Sequence, residues 1–127
     1  MSDSQYQAGA CNIGGRERES RRRLGYAGFA LAVVYTLAAM ALSLPPDFAA
    51  GTGVLVYGGA LGVLQARERF CVAYGMTGQY GFDGEEGAIE DSAARSTDLK
   101  RSLVLSAKAS LLGVLGTGVG YGLLVAV

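Results

Sequence analysis

Two thiols, Cys11 and Cys71, are the residues of this chain best suited to chemistry. A cysteine reacts as its thiolate, which nearby arginines and a helix N-terminus favour. Arg67 and Arg69 stand close to Cys71, and a helix start can follow Cys11. In a reducing compartment such a pair supports three readings: a redox dithiol, a persulfide acceptor, or half of a metal site completed by a second subunit. The opposing reading is that each is a small apolar residue filling a packed interior.

The remaining inventory subtracts chemistry. With no histidine in the chain, imidazole acid/base catalysis and the commonest metal ligand are excluded. Residues 75–87 are rich in glycine, but no Lys-Ser/Thr follows, so they form no phosphate loop. Zinc spacings and nucleophile elbows are missing as well. The expectation is a non-enzymatic protein with no cofactor and no metal.

The cysteines must be positioned by membrane helices. Half of the 127 residues are apolar and 17% are charged, against roughly 25% in an ordinary soluble domain. The apolar residues fall into three blocks. Residues 24–44 carry no charge and no proline, and at 1.5 Å per residue they cover the roughly 30 Å hydrocarbon core. Pro45 and Pro46 stop that helix. Residues 48–66 are again uncharged and just long enough to cross, and their five glycines matter less in lipid, where a helix is the only way to satisfy the backbone. The third block, 103–127, contains one charge, Lys108, whose stem can run along the helix to bring its ammonium to the headgroups. The predicted fold is an all-α membrane protein: an N-terminal segment 1–23, a transmembrane hairpin 24–66, a loop 67–102 and a third span 103–127.

The loop has a glycine-rich centre and an acidic run through Asp83, Glu85, Glu86, Glu90 and Asp91, which reads as solvated chain, with residues 92–101 able to form a short amphipathic helix. Residues 1–10 lack the features of a signal peptide, so the first span is expected to be retained. Basic residues gather before span one (Arg16, Arg18, Arg21, Arg22, Arg23), after span two (Arg67, Arg69) and before span three (Arg95, Lys100, Arg101). The positive-inside rule then places the N-terminus and the long loop in the cytoplasm of a plasma-membrane protein, with the C-terminus outside. Located at a span entrance, the arginine cluster reads as a topology determinant in contact with lipid rather than a nucleic-acid site; the net charge of zero adds no field for nucleic acid.

Glycines pattern the spans. Gly58 with Gly62, Gly116 with Gly120, and Gly118 with Gly122 have the GxxxG spacing that lets helix backbones approach, within the chain or between copies. No aspartate, glutamate or arginine interrupts the spans to mark an ion path.

The run Cys11-Asn12-Ile13-Gly14, followed by Glu17 and arginines that include Arg21 and Arg22, and the run from Arg69 through Phe70, Cys71 and Val72 to Gly75, resemble a small bacterial and archaeal membrane-domain family of unknown function. That family occurs alone or attached to a rhodanese (sulfurtransferase) domain. The resemblance covers residues 11–78. It implies a membrane hairpin, commonly dimeric, with proximity to sulfur metabolism. No rhodanese domain is present here, so it implies no catalysis by this chain, and the third span lies outside the family's usual hairpin.

Together these readings favour a non-enzymatic membrane scaffold or accessory subunit in contact with the lipid bilayer, as a homo-oligomer or with a membrane partner. The first alternative is a cytoplasmic-face thiol redox or sulfur-relay protein using Cys11 and Cys71. A small transporter of sulfur anions, with Lys108 as the anion's counter-charge, is the second.

Overall fold

A computed structural model describes residues 6–82 and 85–127. Three helices are long and apolar enough to span a membrane, so the chain is a multi-pass membrane protein. Helix α1 is Gly15–Ala41, α2 is Ala49–Glu68, and the last helix, α4, is Ser92–Ala126. All described spans exceed the predicted bounds toward the arginine-rich end. The arginines before span one are themselves helical, as are residues 92–101, which continue without a break into the third span.

Local chemistry sets the ends. Beyond α1, Ser43 takes a left-handed conformation while its N–H reaches Met40 O and the Leu44 N–H reaches Ala39 O, which satisfies carbonyls the helix would otherwise leave bare. Pro45 then prevents continuation, and a 3-10 turn, Pro46–Phe48, leads into α2. Helix α2 ends at Arg69, also left-handed, with the N–H groups of Arg69 and Phe70 both directed at Gln65 O.

Between α2 and α4 the described residues form a folded cap rather than a solvated loop. A short helix α3, Val72–Thr77, is followed by strands β1, Gln79–Phe82, and β2, Glu85–Ala88, which pair antiparallel with Tyr80 opposite Gly87. The acidic run is therefore divided: Glu85 and Glu86 lie on β2, and Asp91 caps α4 by accepting a hydrogen bond from Ala93 N. Asp83, with Gly84, lies outside the described residues. The chain is all-α apart from this hairpin, which the apolar periodicity did not foreshadow.

Helix α2 is the centre of the membrane region, with α1 on one flank and α4 on the other. Glycine permits both approaches. A Cβ on Gly25 would lie 2.6 Å from Val63 N, one on Gly28 would lie 2.9 Å from Gly59 Cα, and one on Gly62 would lie 2.8 Å from Gly25 Cα. Gly58, the predicted partner of Gly62, meets nothing within 4 Å; the inward residue is Gly59. On the other flank Gly116 packs against Val56 and Gly120 against Thr52. Within the apolar layer the hydroxyls of Thr36 and Thr52 meet at 2.7 Å, while Thr36 also donates to Ala32 O.

Because α1 and α4 barely touch, a groove of 380 Å³ floored by α2 runs between them, bordered by Phe29, Thr36, Met40, Gly116 and Leu123 among others. Leu31, Val34, Val114 and Val125 are exposed on the outside of the bundle, as lipid-facing residues are. Lys108 is on an exposed face of α4.

Candidate functional site: a closed hub around Cys71

The two sequence motifs converge at the arginine-rich end of the bundle. The left-handed Arg69 turns the chain out of α2, and Cys71 follows in an extended conformation, so its N–H needs a partner from elsewhere, while its carbonyl accepts from Gly75 N in the first turn of α3. Asn12 engages both groups. Its amide Nδ2 donates to Cys71 O at 3.2 Å, and its Oδ1 accepts from Cys71 N at 2.6 Å. The Asn12 backbone N–H meanwhile donates to Arg69 O, and its carbonyl accepts from Gly81 N. Asn12 is completely buried, and it stitches the N-terminal segment to the α2–α3 junction and to β1.

Neighbouring polar groups close the hub. Gln65 Oε1, from α2, accepts from Val72 N at the start of α3. Ser102 Oγ, from α4, donates to Val72 O and to Asp98 O. Gly14 N donates to Gly81 O, beside the parallel bridge between Ile13 and Gly81.

The thiol of Cys71 faces α1. Its sulfur accepts from Arg21 Nη2 at 3.2 Å, and the same guanidinium nitrogen lies 3.7 Å from a Glu17 oxygen. The arginine that reaches the sulfur thus comes from a distant helix; Arg67 and Arg69, adjacent in sequence, have exposed side chains. Tyr74 borders the same cluster. Burial pushes its phenol pKa above the ordinary 10.0, the Glu86 and Glu17 carboxylates and Cys71 push it further, and Arg21 opposes them.

Asn12, Gly14, Glu17, Arg21 and Cys71 are therefore brought together. Arg22 is not, since it pairs with Glu19 on the outer side of α1 at 2.8 Å, and Arg69 contributes its backbone alone. Arg18, unlike Arg22, turns inward and donates from Nε to Ala66 O in the last turn of α2, where a cation also complements the helix dipole. Cys11 is half-buried, with its sulfur 3.6 Å from Ile13 O, and both cysteines are free thiols.

Asp98 went unnoticed in the sequence. It is completely buried on α4, where one carboxylate oxygen accepts from Tyr6 O–H at 2.6 Å and the other from Gly9 N–H at 2.7 Å. Burial, and then the Asp98 carboxylate, push the Tyr6 pKa upward. A signal did exist: Ala94, Asp98, Ser102, Leu105 and Ala109 recur at helical spacing, all of them buried, so one acid sits on an otherwise small and apolar stripe. The N-terminal segment is thereby fastened at Asp98, at Cys71 and at Gly81.

Chemically this arrangement is enclosed. Cys71 is 1% exposed, its backbone is paired on both sides, and its sulfur is engaged by Arg21. Among the described residues, no group of three or more His, Cys, Asp or Glu side chains could hold a metal ion. No family model, curated protein or solved structure matches this chain.

Proposed function

We propose that this protein is a non-enzymatic membrane scaffold or accessory subunit, in which the cysteine hub holds the cap onto the helices. The observation that carries this reading is the 1% exposure of Cys71 within a closed network of hydrogen bonds. A reaction at the thiol would need a substrate to reach it, and Asn12, Arg21 and the start of α3 occupy its surroundings. Association falls to the outward glycines. Gly118 and Gly122 on α4 are exposed and meet nothing within 4 Å, so this GxxxG surface remains available to a second copy or another membrane helix. The gathering of basic residues at the cap end, with none in the turn between α1 and α2, supports a cytoplasmic cap in a plasma membrane.

The double substitution Gly118→Leu/Gly122→Leu is expected to lower the oligomer mass in detergent while leaving the chain helical by circular dichroism, because both glycines border open space within the chain. An oligomer of unaltered mass would remove association through this face from the proposal. The thiol redox or sulfur-relay reading draws on the Arg21–Cys71 contact and on the resemblance to rhodanese-associated membrane domains, and it requires the hub to open.

A further inference from the structure

We propose that the groove between α1 and α4 seats one acyl chain of an anionic phospholipid, whose headgroup phosphate is met by Lys108. The lysine is exposed on α4, and its side chain forms no ion pair among the described residues, whereas Arg101, two turns nearer the cap, is spent on Glu68. Its depth follows from the register of α4 on α2. Arg101 pairs with Glu68 and Gly113 abuts Tyr57, so Lys108, between them, stands level with the turn of α2 around Gly62, which itself packs on Gly25 of α1. Gly25 is two residues past Arg23, the last charge before span one. Lys108 therefore lies at the cap-side edge of the hydrocarbon layer, where its stem brings the ammonium to the headgroups.

From that cation one strip of α4 leads into the groove. Leu112, Leu115, Val119 and Leu123 follow Lys108 at i+4, i+7, i+11 and i+15, a single helical face, and Val119 and Leu123 border the groove. On α1 the groove runs from Phe29 to Met40, a rise of about 16 Å, close to the depth of one leaflet in a roughly 30 Å core. Its floor is prepared for hydrocarbon. The Thr36 and Thr52 hydroxyls hydrogen-bond to each other, and Thr36 also donates to Ala32 O, so both hydroxyl hydrogens are spent. Size selects the occupant. A helix 16 Å long and about 10 Å across fills roughly 1,200 Å³, whereas the groove holds 380 Å³. A helix from a second copy would rest on the rims and leave a void beneath it, forfeiting the van der Waals contacts that drive packing in lipid; an extended chain reaches the floor. The phosphate supplies the counter-charge Lys108 lacks, as a point-charge partner. The inference does not rest on the scaffold reading, since Gly118 and Gly122 do not line the groove.

Native mass spectrometry of the full chain in detergent tests the site, with phosphatidylglycerol, phosphatidylcholine of the same chains, and glycerol phosphate as probes. The expected result is preferential retention of phosphatidylglycerol. Lys108→Gln should weaken that retention about five-fold, to the level of phosphatidylcholine. Lys100→Gln removes the same charge from an exposed position about two turns nearer the cap and should retain the lipid as the parent does. Leu37→Trp/Val119→Trp narrows the groove from both rims, at positions 58% and 64% exposed, and should weaken retention of both lipids. Should the tryptophans disturb the fold, Lys108→Gln, at an exposed side chain, keeps the test decisive. Unchanged retention of phosphatidylglycerol in Lys108→Gln would overturn the site, and equal losses in Lys108→Gln and Lys100→Gln would replace it with diffuse surface charge. Parental retention of both lipids in the folded tryptophan variant would overturn the groove as the seat, as would displacement of phosphatidylglycerol by glycerol phosphate, which has no chains. A fall in oligomer mass in that variant would assign the groove to a second copy instead.

Discussion

Replacing Gly25 with leucine should separate α1 from α2, whereas the same replacement at Gly58 should leave the bundle intact. The contrast arises from what each side chain would meet. At Gly25 a Cβ falls 2.6 Å from Val63 N and 2.8 Å from Gly59 O, which are backbone atoms of a helix that cannot yield without breaking its own hydrogen bonds. At Gly58 there is nothing within 4 Å. Inserting bulk into a packed interior costs about 1–3 kcal/mol even when side chains can shift, so a clash with backbone places Gly25→Leu at about 3 kcal/mol or more. In a chain of this size that lowers the thermal midpoint in detergent by roughly 10 °C. Gly58→Leu should remain within about 2 °C of the parent by the same scale. Similar losses at both positions would mean that α1 and α2 do not meet through Gly25, Gly28, Gly59 and Gly62.

Loss of the Asn12 side chain should release the cap from the membrane helices. Asn12→Ala leaves Cys71 N–H without its partner in a fully buried setting, at a cost of about 1–3 kcal/mol, and removes one of the two donors to Cys71 O, which keeps Gly75 N–H. Asn12→Asp is the sharper variant. It retains an acceptor for Cys71 N–H but sets a second carboxylate oxygen against Cys71 O, where the amide formerly donated, and it buries a charge as well. Trypsin cleavage after Arg69 reports the effect, because the Arg69 carbonyl is held by Asn12 N in the intact cap. Cleavage should accelerate at least ten-fold in Asn12→Ala and further in Asn12→Asp, with the three spans still helical by circular dichroism. Parental cleavage rates in both variants would exclude Asn12 as the clasp.

The spans were legible because uncharged runs near the length of the hydrocarbon core admit one solution in lipid. Which glycines face inward was less so. Gly58 and Gly59 differ by a rotation of about 100° on the helix, and a repeated small-residue spacing does not reveal which face a neighbour occupies. Gly116 and Gly120 turned toward α2, while Gly118 and Gly122, with identical spacing, turned away. The cap was hidden for a different reason. Six residues of α3 and four in each strand are too short to show a period, and their glycine and acid content resembles solvated chain. What folds them is distant in sequence: Asn12 on Cys71, Ser102 on Val72 and the Asn12 carbonyl on Gly81 N. The motif residues Asn12, Gly14, Glu17, Arg21 and Cys71 could be picked out individually, but their convergence depends on the left-handed turn at Arg69, a conformation that arginine rarely adopts and that its sequence neighbourhood does not announce.

That the hub is closed is the central claim, and alkylation of the two thiols tests it most directly. Single-cysteine variants, Cys11→Ser and Cys71→Ser, are treated with a membrane-impermeant maleimide in opened vesicles, before and after denaturation. Half-buried Cys11 should label in native membranes, and Cys71, at 1% exposure, should label only once the protein is unfolded. Native labelling of Cys71 at a rate comparable to that of Cys11 would contradict the account and move the thiol-relay reading ahead of the scaffold.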